Sequence, residues 1–139
     1  MRYVPLLFVP FLLYNAFAFL IFADYDADFR EAYMLKVAMP SGATFELTVA
    51  TTIVLLALIL LGVELVKAAR IGTGSIVDHA LATLLLIAFV VEFLLVRQAA
   101  TGTFLILTTI ALVDLIGGFA VSIRSAARDI TVTGPMPEP

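Results

Sequence analysis

The sequence predicts an all-α membrane protein: a four-transmembrane-helix bundle with a short β-hairpin in the first extracytoplasmic loop. Hydrophobic residues make up 63% of the 139 residues and charged residues only 14%, whereas soluble domains are roughly 45–50% apolar and about 25% charged. The hydrophobic residues also fall into four runs, each close to the ~20 residues that a helix needs to cross a bilayer. We place these spans at residues 3–22, 49–68, 76–96 and 103–123, within one transmembrane domain, 1–123.

The first span carries two prolines and one strongly polar side chain, Asn15. Pro5 falls in the first turn, where a missing N–H costs little, but Pro10 lies deeper and is expected to kink the helix. The run is longer than the apolar core of a secretory signal peptide, and aspartates follow it in place of a small-residue cleavage site. We therefore interpret this segment as a retained transmembrane helix.

Residues 23–48 form the longest polar stretch and are expected to lie outside the membrane. On either side of Pro40–Gly42, polar residues recur at period two, at Lys36, Thr44, Glu46 and Thr48. This alternation around a proline-glycine turn is typical of a β-hairpin, and the alternative is an irregular loop. Because an isolated hairpin is marginally stable in water, it would have to rest on helix ends or on a partner.

The distribution of basic residues predicts the orientation. Short cytoplasmic loops are enriched in lysine and arginine. With the N-terminus inside, the inner side carries Arg2, Lys67, Arg70, Arg124 and Arg128, and the outer side carries Arg30, Lys36 and Arg97. This bias predicts that both termini lie in the cytoplasm. Residues 124–139, which are rich in charge and proline, are expected to form a partly disordered cytoplasmic tail.

Asp114 is the most informative ionisable residue, because it falls near the middle of the fourth span. An acid at that depth costs roughly 2.5–3.5 kcal/mol on insertion scales and usually faces the bundle interior. Gly118 and Ser122 follow it at spacing four, which predicts a shared face where another helix approaches closely. Asp114 either relays protons or cations, or it holds helices together. The available hydrogen-bond donors are Asn15 and the hydroxyls of Thr83, Thr108 and Thr109.

Two further acids lie nearer the ends of their spans. Glu64 precedes Lys67 by one helical turn, and Glu92 lies shortly before Arg97. The simpler interpretation is that both are interfacial charges in local pairs. The alternative is a proton path in which Glu64, Asp114 and Glu92 occupy successive depths.

The remaining motifs do not indicate catalysis. The chain has no cysteine and a single histidine, so we expect no metal site and no cofactor. Asp78 and His79 begin the third span, where a capping acid beside an interfacial histidine is simpler than a pH-sensitive pair. No nucleophile, base and acid form a recognisable set, so we expect no enzyme. The net charge of −3 is scattered, and no basic stripe suggests nucleic acid.

The runs SIVDHALATLLLIAFVVEFLLV and TGTFLILTTIALVDLIGGFAVSIRSAARD resemble small four-helix proteins of bacterial inner membranes. The resemblance covers most of the chain and implies the four-helix fold, but it brings no activity with it. Small multidrug exporters have a similar topology. Their essential acid lies in the first span, where this chain has none.

Two functions follow as expectations. The first is a structural or accessory subunit that packs against itself or a larger membrane complex. The second is a small proton- or cation-coupled transporter that uses Asp114 with Glu64 or Glu92. In either case the partners are the lipid bilayer and another membrane protein or a second copy of the chain.

Overall fold

A computed structural model describes residues 5–21, 29–71 and 76–132. Within these residues the chain forms four α-helices and one two-stranded antiparallel hairpin. The helices are α1 (Phe8–Ala16), α2 (Val49–Ile71), α3 (Ile76–Leu95) and α4 (Gly102–Val132), and the strands are β1 (Tyr33–Ala38) and β2 (Thr44–Thr48). Short 3₁₀ turns at Phe29–Glu31 and Arg97–Ala99 lead into the hairpin and into α4.

Three of the helices are long and apolar enough to cross a membrane. The qualifying segments are Val49–Ala68, Val77–Leu95 and Gly102–Val121, which match the predicted second, third and fourth spans. Within residues 5–21, the described part of the predicted first span, the helix is shorter than a full span. Nine α-helical residues of α1 are followed by five π-helical residues, Phe17–Ile21, and together they rise only about 20 Å, against about 30 Å of hydrocarbon.

Pro10 does not interrupt α1. The helix begins at Phe8, so Pro10 is in its first turn, where backbone N–H groups have no intrahelical partner. Phe8 and Val9 donate their N–H groups to the carbonyls of Pro5 and Leu6, which extends the helix backwards by a tight turn. The departure from α-helical geometry comes instead at the other end, in the π-helical segment Phe17–Ile21.

The four helices alternate in direction around a shared aromatic core. α4 packs along both α2 and α3, and α1 packs mainly against α2. The largest fully buried side chains are Tyr14, Phe89, Phe104, Leu7, Leu107 and Pro10. Phe11 of α1 packs edge-on against Phe89 of α3 with ring centroids 4.8 Å apart, and Phe89 packs on Phe104 of α4. This cluster joins three helices in one apolar centre.

The predicted hairpin is present, and its turn is the predicted Pro40–Gly42. Gly42 has a positive φ of 82° and donates its N–H to the carbonyl of Met39 at 2.9 Å, and the Met39 N–H bonds Ala43 at 2.8 Å. A glycine adopts this left-handed conformation without steric cost, and a three-residue loop with such a residue is a common hairpin connection. The strand pairing is irregular between Tyr33 and Leu35, where β1 has a bulge.

The base of the hairpin is tied to the helices. The N–H of Val49, the first residue of α2, bonds the carbonyl of Ala32, and β2 continues into α2 without a loop. Phe29 is buried beside Tyr14 and Phe17 of the α1 region, with ring centroids 5.2 and 6.1 Å apart. We call this end of the bundle the hairpin end.

The fourth helix is longer than the predicted span 103–123. It continues to Val132, into the segment 124–139 that was expected to form a partly disordered tail. The segment after Gly118 contains alanines and arginines with high helix propensity and no glycine or proline before Gly134. Residues 133–139 lie outside the described residues.

Candidate functional site

Glu64 binds the start of α1. Its Oε2 accepts a hydrogen bond from the backbone N–H of Leu6 at 2.9 Å, between segments 58 residues apart in sequence. The first N–H groups of a helix lack intrahelical partners and lie at the positive end of the helix dipole, so a carboxylate is stabilised there. Lys67, the partner expected from the sequence, interacts with Glu64 only electrostatically. The carboxylate of Glu64 therefore joins α2 to α1.

Glu92 binds the other end of α1. Its Oε2 accepts a hydrogen bond from the Asn15 side-chain amide at 3.1 Å, and the same amide nitrogen donates to the carbonyl of Phe11. The second carboxyl oxygen, Oε1, is buried and has no hydrogen-bond partner among the described residues. The partner of Glu92 is thus an amide on α1 and not the expected Arg97.

Together these contacts hold α1, the shortest of the four helices, at the turn that leads into it and near its end. Glu64 reaches it from α2 and Glu92 reaches it from α3. The sequence identified Glu64, Glu92 and Asn15 as candidates, and the structure brings each acid to a separate point on α1.

Tyr14 adds a third connection that sequence reasoning missed. Its hydroxyl donates to the carbonyl of Gln98 at 3.0 Å and lies 2.8 Å from the Thr101 hydroxyl, in the connection between α3 and α4. Tyr14 is completely buried. A buried tyrosine hydroxyl usually needs a hydrogen-bond partner, and this requirement is the one signal in the sequence that could have identified it.

Asp114 is buried in α4, as its predicted face with Gly118 implies. It is 7% exposed, and among the described residues it is the only charged residue that is buried. Its carboxylate lies within electrostatic range of Glu64 and Lys67 of α2. Among the described residues, none forms a hydrogen bond with the Asp114 carboxylate. Asp114 and Glu64 therefore bring two acids from neighbouring helices into one region, away from the hairpin end.

The expected donors for Asp114 bind elsewhere. Thr83, Thr108 and Thr109 each donate to the carbonyl four residues earlier in the same helix, at 2.7–2.9 Å, and Asn15 binds Glu92. Threonine hydroxyls in helices often donate a hydrogen bond to the backbone carbonyl four residues earlier. None of these four available donors therefore binds the Asp114 carboxylate.

Two adjacent glycines place α4 against both of its neighbours. A Cβ at Gly117 would lie 2.5 Å from Cδ2 of Leu65 of α2, and a Cβ at Gly118 would lie 3.3 Å from Cε1 of His79 of α3. Consecutive helix positions point about 100° apart, so the pair serves two partners at once. The predicted close approach occurs at Gly118, and the side chain of Ser122 lies outside what the structure describes.

His79 takes part in this packing. Its ring stacks on Phe119 with centroids 4.6 Å apart and planes at 15°. Asp78 is near enough to Glu64 to interact electrostatically. Lys67, Asp78 and Asp114 therefore all lie within electrostatic range of Glu64 or of one another, away from the hairpin end.

A cleft of about 350 Å³ opens between the start of α1 and α3. The side chains that line it are all apolar: Pro5, Phe8, Leu81, Leu84, Leu85 and Ala88. Such a lining offers no group for proton transfer or metal binding, and it suits hydrocarbon.

No family model, curated protein or solved structure matches the chain. The function is therefore argued from the contacts of its own residues.

Proposed function

We propose that this chain is a small integral membrane protein of the bacterial inner membrane, with both termini in the cytoplasm. It acts as a structural or accessory subunit that packs against itself or a larger membrane complex. The three long apolar helices support membrane insertion. The basic residues, five inside against three outside, support the orientation.

The observation that carries the structural role is the use of two acids to hold one helix. Glu64 and Glu92 are each hydrogen-bonded to α1, at its start and at Asn15. A transport path needs carboxylates that exchange protons or cations with water, whereas these two serve as attachments between helices. Leu84, Leu94 and Leu95 of α3 are 61%, 70% and 79% exposed, so α3 has apolar side chains free to meet lipid or another protein.

Purification in a gentle detergent, followed by native mass spectrometry, tests the subunit role. We expect a defined homo-oligomer or a complex with a stoichiometric membrane partner that persists in a second, chemically different detergent. A monomer without a stoichiometric partner in both detergents, and equally in lipid nanodiscs, would contradict the proposal.

Cysteine labelling tests the orientation, and the natural chain has no cysteine to interfere. Ser41→Cys lies in the exposed hairpin turn, and Ser125→Cys lies near the proposed cytoplasmic end of α4. A membrane-impermeant maleimide added to intact spheroplasts should label Ser41→Cys and leave Ser125→Cys unlabelled until lysis. Labelling of both from one side would exclude the topology.

A second function, proton- or cation-coupled transport, is favoured by one specific observation. Asp114 is buried, has no hydrogen-bond partner among the described residues, and lies in electrostatic range of Glu64. Buried acids in membrane proteins often mark ion pathways. In that case Asp114 is the exchanging group, and Glu64 is its neighbour toward the polar end of the bundle.

Proton-dependent flux in liposomes tests this second function. Asp114→Asn, which keeps the size of the side chain, should abolish flux while the protein still folds. Thr108→Val is the matched control in α4, because the Thr108 hydroxyl bonds the carbonyl of Phe104 and lies outside the proposed path. Flux that survives in Asp114→Asn, or that the natural chain lacks, would exclude transport through Asp114.

A further inference from the structure

The hairpin has one apolar face and one polar face. Residues directly opposite each other on antiparallel strands lie on the same face. The pairs on one face are Leu35–Leu47 and Val37–Phe45, and the other face carries Lys36–Glu46 and Ala38–Thr44. The hairpin is therefore amphipathic across its thickness.

The bulge in β1 improves this separation. Simple alternation would put Tyr33 on the same face as Leu35, but the bulge pairs Tyr33 with Thr48, on the polar face. The Lys36 Nζ lies 3.7 Å from the centre of the Tyr33 ring and 2.9 Å from the Glu46 carboxylate. The polar face thus has a compact group of one aromatic ring and a neutral ion pair.

The apolar face is uncovered within the described chain. Leu35, Val37 and Phe45 are 50%, 40% and 47% exposed. A two-stranded hairpin is marginally stable in water even without such exposure. Stable folding of this hairpin therefore requires an apolar surface beside it.

The hairpin leaves the bundle at a level where the helices still have exposed apolar side chains. Its base, Phe29, packs against Tyr14, and Tyr14 bonds Gln98 just beyond α3. The last residues of α3, Leu94 and Leu95, lie at this same level and are 70% and 79% exposed. β2 then enters α2 without a spacer, so the hairpin begins where the apolar helices end.

We propose that the apolar face of the hairpin, formed by Leu35, Val37, Phe45 and Leu47, lies on the lipid surface of the bilayer. This inference rests on the membrane insertion proposed above. A lysine and a tyrosine suit the headgroup layer, where aromatic and basic residues are enriched. The open strand edges also require water or headgroups as hydrogen-bond partners, which places the hairpin in the interface and not in the hydrocarbon.

Site-specific fluorescence tests the proposal in phosphatidylcholine vesicles. Phe45→Cys and Thr44→Cys are adjacent positions on opposite faces of β2, and Ile106→Cys, at an exposed position within α4, reports on membrane insertion. Each variant is labelled with an environment-sensitive dye. The dye is then quenched either by iodide in water or by a lipid that carries a nitroxide near its headgroup.

The expected result is lipid quenching and a blue-shifted emission at Phe45→Cys, with iodide quenching at Thr44→Cys. Val37→Cys should repeat the behaviour of Phe45→Cys if the loss of the aromatic ring disturbs the strand. Iodide quenching at both faces, with Ile106→Cys buried in lipid, would overturn the hairpin proposal alone. Protection of Phe45→Cys from both quenchers would also overturn it, because protein would then be the covering surface. Iodide quenching of Ile106→Cys would overturn membrane insertion itself.

Discussion

The carboxylate of Glu64 accepts a hydrogen bond from the backbone N–H of Leu6 at 2.9 Å, across 58 residues of sequence. The acid of one helix thus caps the start of another. In an apolar environment an unsatisfied N–H is costly, and the dipole of α1 favours a negative charge at this position. The same side chain that a transport path would use is thereby part of the attachment of α1.

Removal of this acceptor should loosen the start of α1 locally. In Glu64→Leu, amide hydrogen exchange at Leu6 and its neighbours should accelerate about fivefold, corresponding to about 1 kcal/mol of lost protection. Glu64→Gln retains an acceptor oxygen and should have a smaller effect. Val63→Leu, at an exposed position of α2, is the control, and equal exchange rates in Glu64→Leu and this control would refute the cap.

The Asn15–Glu92 contact should appear as a coupling energy in a double-mutant cycle. Asn15→Leu and Glu92→Leu, alone and combined, should give a coupling of about 0.6 kcal/mol, the average for hydrogen bonds measured in a membrane protein. The unfolding free energy in a mixed-detergent titration supplies the data. A parallel cycle with Val91→Ala, at the exposed neighbouring position, should give no coupling, and similar values in both cycles would argue against the bond.

The glycines of α2 and α4 should respond differently to alanine. Gly62→Ala meets nothing within 4 Å, so it should stabilise the protein by up to about 1 kcal/mol through helix propensity. At Gly117 the new methyl group would lie 2.5 Å from Cδ2 of Leu65, so the Leu65 side chain must move and the gain should be smaller. Leu65→Ala combined with Gly117→Ala should restore part of it. Equal gains at both glycines in thermal unfolding would contradict the close approach.

The polar face of the hairpin should have a measurable electrostatic signature. The hydrogen bond from Lys36 to Glu46 raises the pKa of the Lys36 ammonium above its ordinary value. The ion pair therefore supports the hairpin fully below that ordinary pKa, and this support is lost as the pH rises through the raised pKa. In NMR titrations Glu46→Gln should lower the pKa of Lys36. Thr44→Ser, on the same face, should leave it unchanged, and an unchanged pKa in Glu46→Gln would exclude the pair.

The sequence predicted the elements that depend on local patterns. Period-two alternation and the Pro40–Gly42 turn identified the hairpin because both signals lie within a few residues. The bulge that moves Tyr33 to the polar face was not predictable, because it depends on the alignment of two strands. Likewise, the face shared by Asp114 and Gly118 was evident from spacing, whereas the acceptors chosen by the nearby threonine hydroxyls were not.

The hydrogen-bond partners of Glu64 and Glu92 could not be predicted from neighbouring residues either, because they lie far away in the sequence. Glu64 and Glu92 were paired with Lys67 and Arg97 because those residues are close in sequence. The structure instead provides partners on α1 at separations of 58 and 77 residues. The full length of α4 was not predictable either, since a change from apolar to polar composition marks the end of a membrane span and not the end of a helix.

The attachments of α1 also set an order of events during synthesis. Its partners Glu64, Glu92 and Thr101 all follow it in the chain, by 58, 77 and 87 residues. At a translation rate of about 5–20 residues per second, several seconds pass between the synthesis of α1 and the synthesis of its last partner. During that interval its buried tyrosine and asparagine have none of these contacts. The helix that is translated before the other three therefore lacks these bonds for several seconds, and an insertion factor or chaperone would encounter it in this unfinished state.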